Sequence, residues 1–277
     1  MERPYQIIGI VLVKDEDMYI EQVIRNIVDF CDEILIDDNG SQDQTYPILQ
    51  RLAAEYPSIQ LYQSDNLHHS HTLIERFANT NTWVFGVDGD EIYDPVGLKK
   101  MYDKLQQGEF QKQWVIFGNV LHCVGIDPVN KIAKGHLAPP ARSMTKLYNF
   151  SIIEQWLNGP ERLHSGDLVF KPGYDMSLRY RLDQQISWDD AYFRCLHSVF
   201  VRRSSLQQTL FSLSRWAPAE RMQQAKDFAG KGWVHTMWLR LLWKNTLYLR
   251  TDRKYKHYAV GPVHQKDASN FFPENAV

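Results

Sequence analysis

The apolar run Trp83 to Val87 leads directly into Asp88-Gly89-Asp90-Glu91. Two carboxylates on one turn, with a glycine between them that lets backbone and ligand approach closely, make an oxygen-rich site at the end of a predicted strand. Such oxygens suit Mg2+ or Mn2+, which keep open positions for phosphate oxygens. A cation held there would neutralise a diphosphate and stabilise it as a leaving group. Taken alone, the same turn also fits an acidic loop that caps the next helix. A calcium loop of the EF-hand type is excluded, because the twelfth position from Asp88 is Lys99, where a glutamate is required.

The elements that must position these carboxylates follow from the alternation of short apolar runs with helical spacing. Residues 7–13 form a continuous apolar run suited to a strand covered on both faces. Ile20, Val23, Ile24, Ile27 and Val28 then recur at helical spacing. Further strands are expected at 33–37, 59–63 and 83–87, and further helices at 45–56 and 72–79. Strands alternating with helices in this way imply right-handed βαβ units and a mostly parallel sheet, with ligands beyond the carboxyl ends of the strands. Polar residues gather at those ends: Lys14, Asp15 and Glu16 after the first strand, Asp37, Asp38 and Asn39 after the second, Ser64, Asp65 and Asn66 after the third, and Asp88, Asp90 and Glu91 after the fourth. Packing alone does not account for four acidic strand ends on one rim.

After Asp94-Pro95, an N-cap followed by proline at the first helical position, a helix is expected to about Leu105. Strands at 114–120 and 145–148 flank residues 124–142, where Gly125, Pro128, Gly135, Pro139 and Pro140 predict a long loop, functional or disordered. From Leu206 the spacing is helical in two segments, 206–229 and 233–250, split by Gly230 and Gly232 and followed by a polar tail.

The chain has 277 residues, 44% hydrophobic and 23% charged, which fits one large globular domain or one domain with a small appendage. A formal net charge of -2 gives no global field toward nucleic acid or anionic lipid. The apolar run near the N-terminus passes into charged residues with no small-residue cleavage site, so a first strand rather than a signal peptide is expected, and with it a cytoplasmic location. Cys31, Cys123 and Cys195 are an odd number without a CxxC pattern and are expected to be reduced and packed. The longest apolar stretches near the C-terminus are broken by Arg240 and Lys244, short of the roughly 18 to 20 residues a membrane span needs.

In order, VLVKDEDMYIEQVI, DEILIDDNGSQDQT and WVFGVDGDE resemble the nucleotide-binding half of glycosyltransferase family 2 enzymes with the GT-A fold, whose patterns read roughly KNE, VDNGSTDGT and LDADE. The resemblance covers about residues 5–95. It implies that Asp38 contacts a nucleobase, that Glu16 lies near the base or ribose, and that Asp88 and Asp90 hold ribose, metal and diphosphate. Val11, Asp65 and Gly89 complete the expected donor-binding set. Asp15 stands where the family usually has Asn, and Gln42 and Gln44 stand for Thr and Gly, which leaves the base open among uracil, thymine and guanine. A UDP, dTDP or GDP type donor with Mn2+ or Mg2+ is therefore expected.

The second half resembles the family only loosely. In Ser187-Trp188-Asp189-Asp190, ahead of an expected helix, a carboxylate is similar in position to the general base of inverting members. Asp190 is the first candidate, Asp189 its neighbour and Glu161 the rival; Asp189 and Asp190 equally suit a helix cap. His197 resembles the histidine that some members bring from downstream to complete the metal shell, and His164 resembles one of the acceptor region. His68, His69 and His71 form an HHxH cluster that lacks carboxylate or cysteine partners. Arg202 and Arg203 have the charge to reach a diphosphate, or to sit on the surface.

Residues 231–258 interleave tryptophans and tyrosines with Lys244, Arg250, Arg253, Lys254 and Lys256. Such a segment suits peripheral contact with the inner face of a membrane, where a lipid-linked acceptor would lie, or a helix that buries its aromatic side. The expected architecture is an α/β, Rossmann-like GT-A domain over 1–204, with a nucleotide-binding half to 95 and an acceptor half to 204, and a C-terminal helical appendage over 205–277. The expected reaction is glycosyl transfer from a nucleotide sugar to a glycan, lipid-linked or small-molecule hydroxyl, inverting by resemblance, without nucleic acid. Two competitors are a non-catalytic binding protein on the same fold and a sugar-1-phosphate nucleotidyltransferase, whose glycine-rich loop is missing from VLVKDED.

Overall fold

The computed structural model describes residues 4–208, 255 and 257–273. Strand β1 (Gln6–Val13) is followed by α1 (Ile20–Ile27), β2 (Glu33–Asp38), α2 (Thr45–Glu55), β3 (Ile59–Gln63), α3 (His69–Glu75) and β4 (Thr82–Asp88). β1 lies between β2 and β4, parallel to both, and β3 extends the sheet beyond β2. The middle of β1 is buried on both faces, which is why its sequence is continuously apolar rather than alternating. Ile7, Val11 and Val13 face α1, while Ile8 and Ile10 face α3 and the aromatic cluster of Trp114 and Trp156. Val11, expected among the donor contacts, is a fully buried core residue in mid-strand. Register sets the rim: Leu12 pairs with Asp37 on one side and Asp88 on the other, and Val13 pairs with Asp38.

β5 (Glu91–Tyr93) and α4 (Pro95–Gln106) follow, and the Asp94 carboxylate accepts from the amides of Val96 and Gly97 at 3.0 and 3.1 Å, the expected cap. β6 (Val115–Phe117), β9 (Lys146–Asn149) and β12 (Arg179–Arg181) complete the first sheet in the order β12-β6-β9-β4-β1-β2-β3 among the described residues. β7 (Asn119–Asp127) and β8 (Ile132–Ala138) form an antiparallel hairpin where a long loop is expected. Glycine and proline misled that expectation: Gly125 sits at a register shift, Gly135 lets β8 approach the His122 carbonyl, where a Cβ would clash, and Pro139 and Pro140 fall after the strand has ended.

β10 (Ile153–Leu157) and β11 (Asp167–Phe170) make a separate pair. β13 (Arg194–His197) joins β7 in parallel and β5 antiparallel, so the second sheet reads β14-β8-β7-β13-β5 with β14 (Val263–Asp267) at its edge. The polar tail is thus part of the domain body: Phe271 is fully buried beneath Trp188, and Asn26 of α1 donates to its carbonyl at 3.0 Å. Ser205–Gln208 form a 3-10 turn, while the helices expected over 209–250 and most of the basic aromatic stretch lie outside the described residues. No helix among the described residues is long and apolar enough to cross a membrane. All three cysteines are buried and free.

Candidate active site

Asp88, Gly89 and Asp90 turn the chain from β4 into β5 beside the end of β1. Gly89 donates to the Leu12 carbonyl at 3.2 Å, and a Cβ at this position would collide with the Glu16 carboxylate and the Val13 side chain. The glycine is therefore set by steric contact, and it brings the DxD turn against Glu16. Asp90 is only 4% exposed, in a chain of charges rather than on an open turn. The Arg203 guanidinium binds its carboxylate and also donates to Glu16 Oε1 at 3.2 Å, while His197 Nε2 lies 3.4 Å from Asp90 Oδ2. Ser198 donates its amide to the Asp90 carbonyl at 2.9 Å, tying this turn to the end of β13.

Asp88 has an arginine of its own. Arg162, which is 1% exposed, donates from Nη2 to the Asp88 carboxylate and to the Val87 carbonyl, the latter at 3.2 Å. Its Nε is buried without a hydrogen-bond partner. Glu91 accepts from the Asp88 amide at 3.2 Å and from the Tyr93 hydroxyl at 3.1 Å, and its other oxygen is buried with no partner. Burial first, and then the negative charges of Asp88 and Asp90, push the Glu91 carboxyl up to about 8.

Residues 158–165 reach this rim because two glycines make room. A Cβ on Gly86 of β4 would strike Leu163, and one on Gly159 would strike the His71 ring. The HHxH cluster holds the same loop: His68 bonds to the Gly159 carbonyl, His71 Nε2 to the Trp156 carbonyl at 2.9 Å, and Ser70 Oγ accepts from the Arg162 amide at 3.0 Å. His69 instead meets Asp37 at 3.0 Å. Each imidazole is thus engaged in local structure. Desolvation lowers the His71 pKa and raises that of Asp37.

The loops after β1 and β2 are laced together. Asp15 has a φ of +51°, a region that Asn and Asp tolerate, which accounts for Asp where the family has Asn. Its Oδ1 accepts from the Gln42 amide at 2.7 Å, and the Glu16 amide donates to Thr45 Oγ1 at 2.8 Å. Asp38 is fully buried, accepting from the Ser41 amide at 3.1 Å, from the Ser41 hydroxyl and from Gln63 Nε2 at 3.1 Å. Asp65 is exposed at the end of β3 beside Gly40, whose φ is +72°.

The structure separates the second-half candidates. No helix follows Asp190, which lies in an exposed turn and accepts from Ser187 Oγ at 2.7 Å. Asp189 is 72% exposed and pairs with Lys266 at 2.8 Å. Both precede β13 at the Arg194 end, where the guanidinium holds the Trp188 carbonyl at 2.7 Å and Asp94 at 2.8 Å. His197 and Asp90 are at the opposite end of that strand. Glu161 and His164 instead flank Arg162: Glu161 Oε1 lies 3.2 Å from His164 Nδ1, and His164 Nε2 lies 3.5 Å from Lys146 Nζ. Burial and the Lys146 charge lower the His164 pKa. Of the adjacent arginines, Arg203 is buried in the site, whereas Arg202 donates to the Ser204 and Ser205 carbonyls at 3.0 and 2.9 Å. Arg162 had no sequence signal of its own, being one basic residue in a loop, and His122, which bonds His197, resembled any buried strand histidine.

Among the described residues, no group of three or more His, Cys, Asp or Glu side chains is arranged to hold a metal ion. The residue types are nonetheless ones a divalent cation accepts: Asp88 and Asp90 stand on one turn, and His197 Nε2 lies 3.4 Å from Asp90 Oδ2. The two carboxylates of the DxD turn hold guanidinium groups, the charge that a cation would replace.

The fold is a mixed α/β one of the GT-A type, with a largely parallel sheet and an acidic rim. The chain belongs to glycosyl transferase family 2, whose model matches residues 10–153. Comparison with curated proteins finds no match. Similar solved structures include TarS from S. aureus, at 18% identity and a TM-score of 0.36, covering 53% of this chain and 29% of that one. The mannosyltransferase PcManGT from Pyrobaculum calidifontis, in complex with GDP-Man and Mn2+, is 15% identical with a TM-score of 0.40, over 92% of this chain and 69% of that one. Glucosyl-3-phosphoglycerate synthase from Mycobacterium tuberculosis, in complex with Mn2+ and UDP-Glc, is 20% identical with a TM-score of 0.30, over 43% of this chain and 45% of that one. The chain thus spans less than half the length of the first and third of these.

Proposed function

We propose that this protein transfers a glycosyl group from a nucleoside diphosphate sugar to an acceptor hydroxyl, with inversion and with a divalent cation bound at Asp88, Asp90 and His197. The observation that supports this most strongly is the pair of DxD carboxylates at the end of β4, each holding a buried arginine, in a chain of glycosyl transferase family 2. When bound, the cation supplies charge neutralisation of the departing diphosphate. Arg162 and Arg203 exchange their carboxylate partners for phosphate oxygens in this reading, which keeps every buried charge compensated. Asp38 acts by fixing the Ser41 turn, so that the base lies along Gly40 and Asp65.

Glu161 is the proposed general base. It sits next to Arg162, which touches Asp88, and it is partly open to solvent, where an acceptor would enter. As the acceptor oxygen bonds to the anomeric carbon and the bond from that carbon to the diphosphate oxygen breaks, the hydroxyl proton passes to Glu161. Asp190, the residue favoured by sequence position, is tied to the Arg194 end of β13 instead.

The test is a thermal-shift screen of UDP, dTDP and GDP sugars with and without Mn2+, followed by turnover of the stabilising donor. One donor class should raise the melting temperature in a Mn2+-dependent way, since a ligand that binds only the folded state stabilises it by mass action. If no donor does so and none is turned over, the protein is not this enzyme.

A further inference from the structure

We propose that the far end of the second sheet carries a carbohydrate site of its own, a pocket for one neutral hexose ring, apart from the DxD rim. The cavity has a volume of about 300 Å3 and lies where β7 begins and β8 ends, bordered by the 3-10 turn Leu182–Gln184 and the chain from there to Trp188. β13 runs from Arg194 beside Asn119 to His197 beside His122, so the pocket is three residues, on the order of 10 Å of strand, from the histidine end. Alternation along β7 also turns the side chains of Asn119 and His122 to opposite faces of the sheet.

The lining sets the kind of ligand. Asn119 and Asp183 are each 2% exposed, while Gln184, Gln185 and Ser187 are open to solvent. Asn119 Nδ2 donates to the Ile186 carbonyl at 3.0 Å, which fixes the orientation of the amide and leaves Oδ1 as a buried acceptor without a partner among the described residues. An orphaned buried acceptor is costly, and a donating hydroxyl relieves it. Gln185 Oε1 accepts from the Tyr180 hydroxyl at 2.8 Å, so its amide nitrogen is the group left to donate. Ser187, whose Oγ donates to Asp190 at 2.7 Å, brings the Ser187-Trp188-Asp189-Asp190 motif to this pocket rather than to the DxD rim.

No lysine or arginine lines the cavity, and its one carboxylate, Asp183, is already held by Arg181 through two hydrogen bonds at 2.9 and 2.6 Å. Amides, a hydroxyl and a neutralised carboxylate therefore stand beside Leu137, Ile186 and Trp188. That mixture suits a hexopyranose, whose hydroxyls donate and accept while its C–H face packs on apolar carbons, and it offers no counter-charge to a phosphate or carboxylate ligand. The volume is at the low end of small-molecule sites, about 300–1,000 Å3, enough for one sugar ring but not for a nucleotide. The Trp188 wall is set by packing: the indole stacks on Phe271 at 6.0 Å and 13°, and Arg194 lies over it at 5.4 Å while donating to the Trp188 carbonyl at 2.7 Å. A wall fixed in this way spares the ordering cost of binding.

The test is saturation-transfer NMR on the full chain in chelator, with the methyl α-glycosides of D-glucose, D-galactose and D-mannose as probes and glucuronate as the charged control. At least one neutral glycoside should bind, with a Kd on the order of 1–10 mM, ordinary for a ligand of about a dozen heavy atoms. Gln184→Ala, a surface change, should weaken that binding by about 2- to 10-fold, and Asn119→Leu, which keeps the shape but loses the amide, by at least as much. Melting curves are read beside the binding, and Gln184→Ala alone decides if Asn119→Leu does not fold. Glu161→Ala, changed at the DxD rim, should bind the glycoside as the wild type does. The inference is overturned if no neutral glycoside binds, if neither pocket variant weakens binding, or if glucuronate binds more tightly than the glycosides. Loss of binding in Glu161→Ala also overturns it, because the sugar then sits at the rim already described. Donor turnover is measured separately with Mn2+ present, so failure here leaves the glycosyl transfer reading untouched, and failure there leaves this pocket untouched.

Discussion

Arg162 donates to the carboxylate of Asp88 from 74 residues further along the chain, with its own side chain almost wholly excluded from water. The partner is 27% exposed, so the pair is half buried and half at the rim. Replacing Arg162 by Met keeps the bulk and removes the charge. The expected loss of stability is about 1–3 kcal/mol, below the range for a fully buried pair because Asp88 can turn to solvent. Mn2+ affinity should hold or rise, since a competitor for Asp88 is gone, while donor turnover falls. Thermal melts, Mn2+ titration and turnover on one preparation check this; a parallel fall in Mn2+ affinity would show that Arg162 supports the cation rather than competing with it.

Asp90 gives a different outcome from Asp88, because it is buried with Arg203, Glu16 and His197 around it. Asp90→Asn retains the shape and one oxygen acceptor but removes the charge. Metal-dependent turnover should be lost, and the melting temperature in chelator should fall, because the buried Arg203 charge loses the Asp90 carboxylate as an anionic partner. Turnover near wild type would refute the assignment of Asp90 to the cation.

Glu91 predicts a pH dependence. Its carboxyl is raised to about 8 in the folded protein and returns to an ordinary carboxylate value, about 4.3, on unfolding. Between these values the folded state holds the proton that the unfolded state has released, so folding stability declines as pH rises through this window. In chelator, the wild type should therefore lose stability, on the order of a few kcal/mol, between about pH 5 and pH 8. Glu91→Gln keeps an acceptor for the Asp88 amide and the Tyr93 hydroxyl and should remove most of that slope. Equal slopes in the two proteins would show that Glu91 is not the group responsible.

Much of this rim was legible in the sequence because its elements carry strong periodic signals. The apolar runs of β1, β2 and β4 give three parallel strands, and parallel strands that end together place Asp37, Asp38 and Asp88 on one edge. The counter-charges were legible only in part: Arg203 was a candidate by charge beside Arg202, and Arg162 was not one. Arg162 and Arg203 come from irregular segments whose approach depends on small residues elsewhere, Gly86 and Gly159 for the first. The β7 and β8 hairpin was hidden because Gly125 and Gly135, which serve a register shift and a close strand approach, have the composition of a loop. The helix expected after Asp190 fails because Arg194 draws the Trp188 carbonyl and Asp94 to itself, which turns the chain directly into β13.

The general base separates sequence position from structure most sharply. Asp190 matches the expected place in the chain, yet its side chain accepts from Ser187 Oγ in an exposed turn, and the neighbouring Asp189 is neutralised by Lys266. Glu161 has the weaker sequence claim, but it shares its loop with Arg162 and sits beside His164, whose other ring nitrogen lies 3.5 Å from Lys146 Nζ, so that the imidazole can orient the carboxylate. A base acts mainly in the transition state, so its loss should appear in kcat more than in donor binding. Glu161→Gln should therefore lower kcat by about two to four orders of magnitude, with little change in donor affinity measured by calorimetry. Asp190→Asn should stay within about tenfold of wild type, as expected for a surface turn whose loss costs only a hydrogen bond. If Asp190→Asn is the inactive variant and Glu161→Gln turns over normally, the acceptor approaches from the Arg194 end of β13, and the base assignment reverts to Asp190.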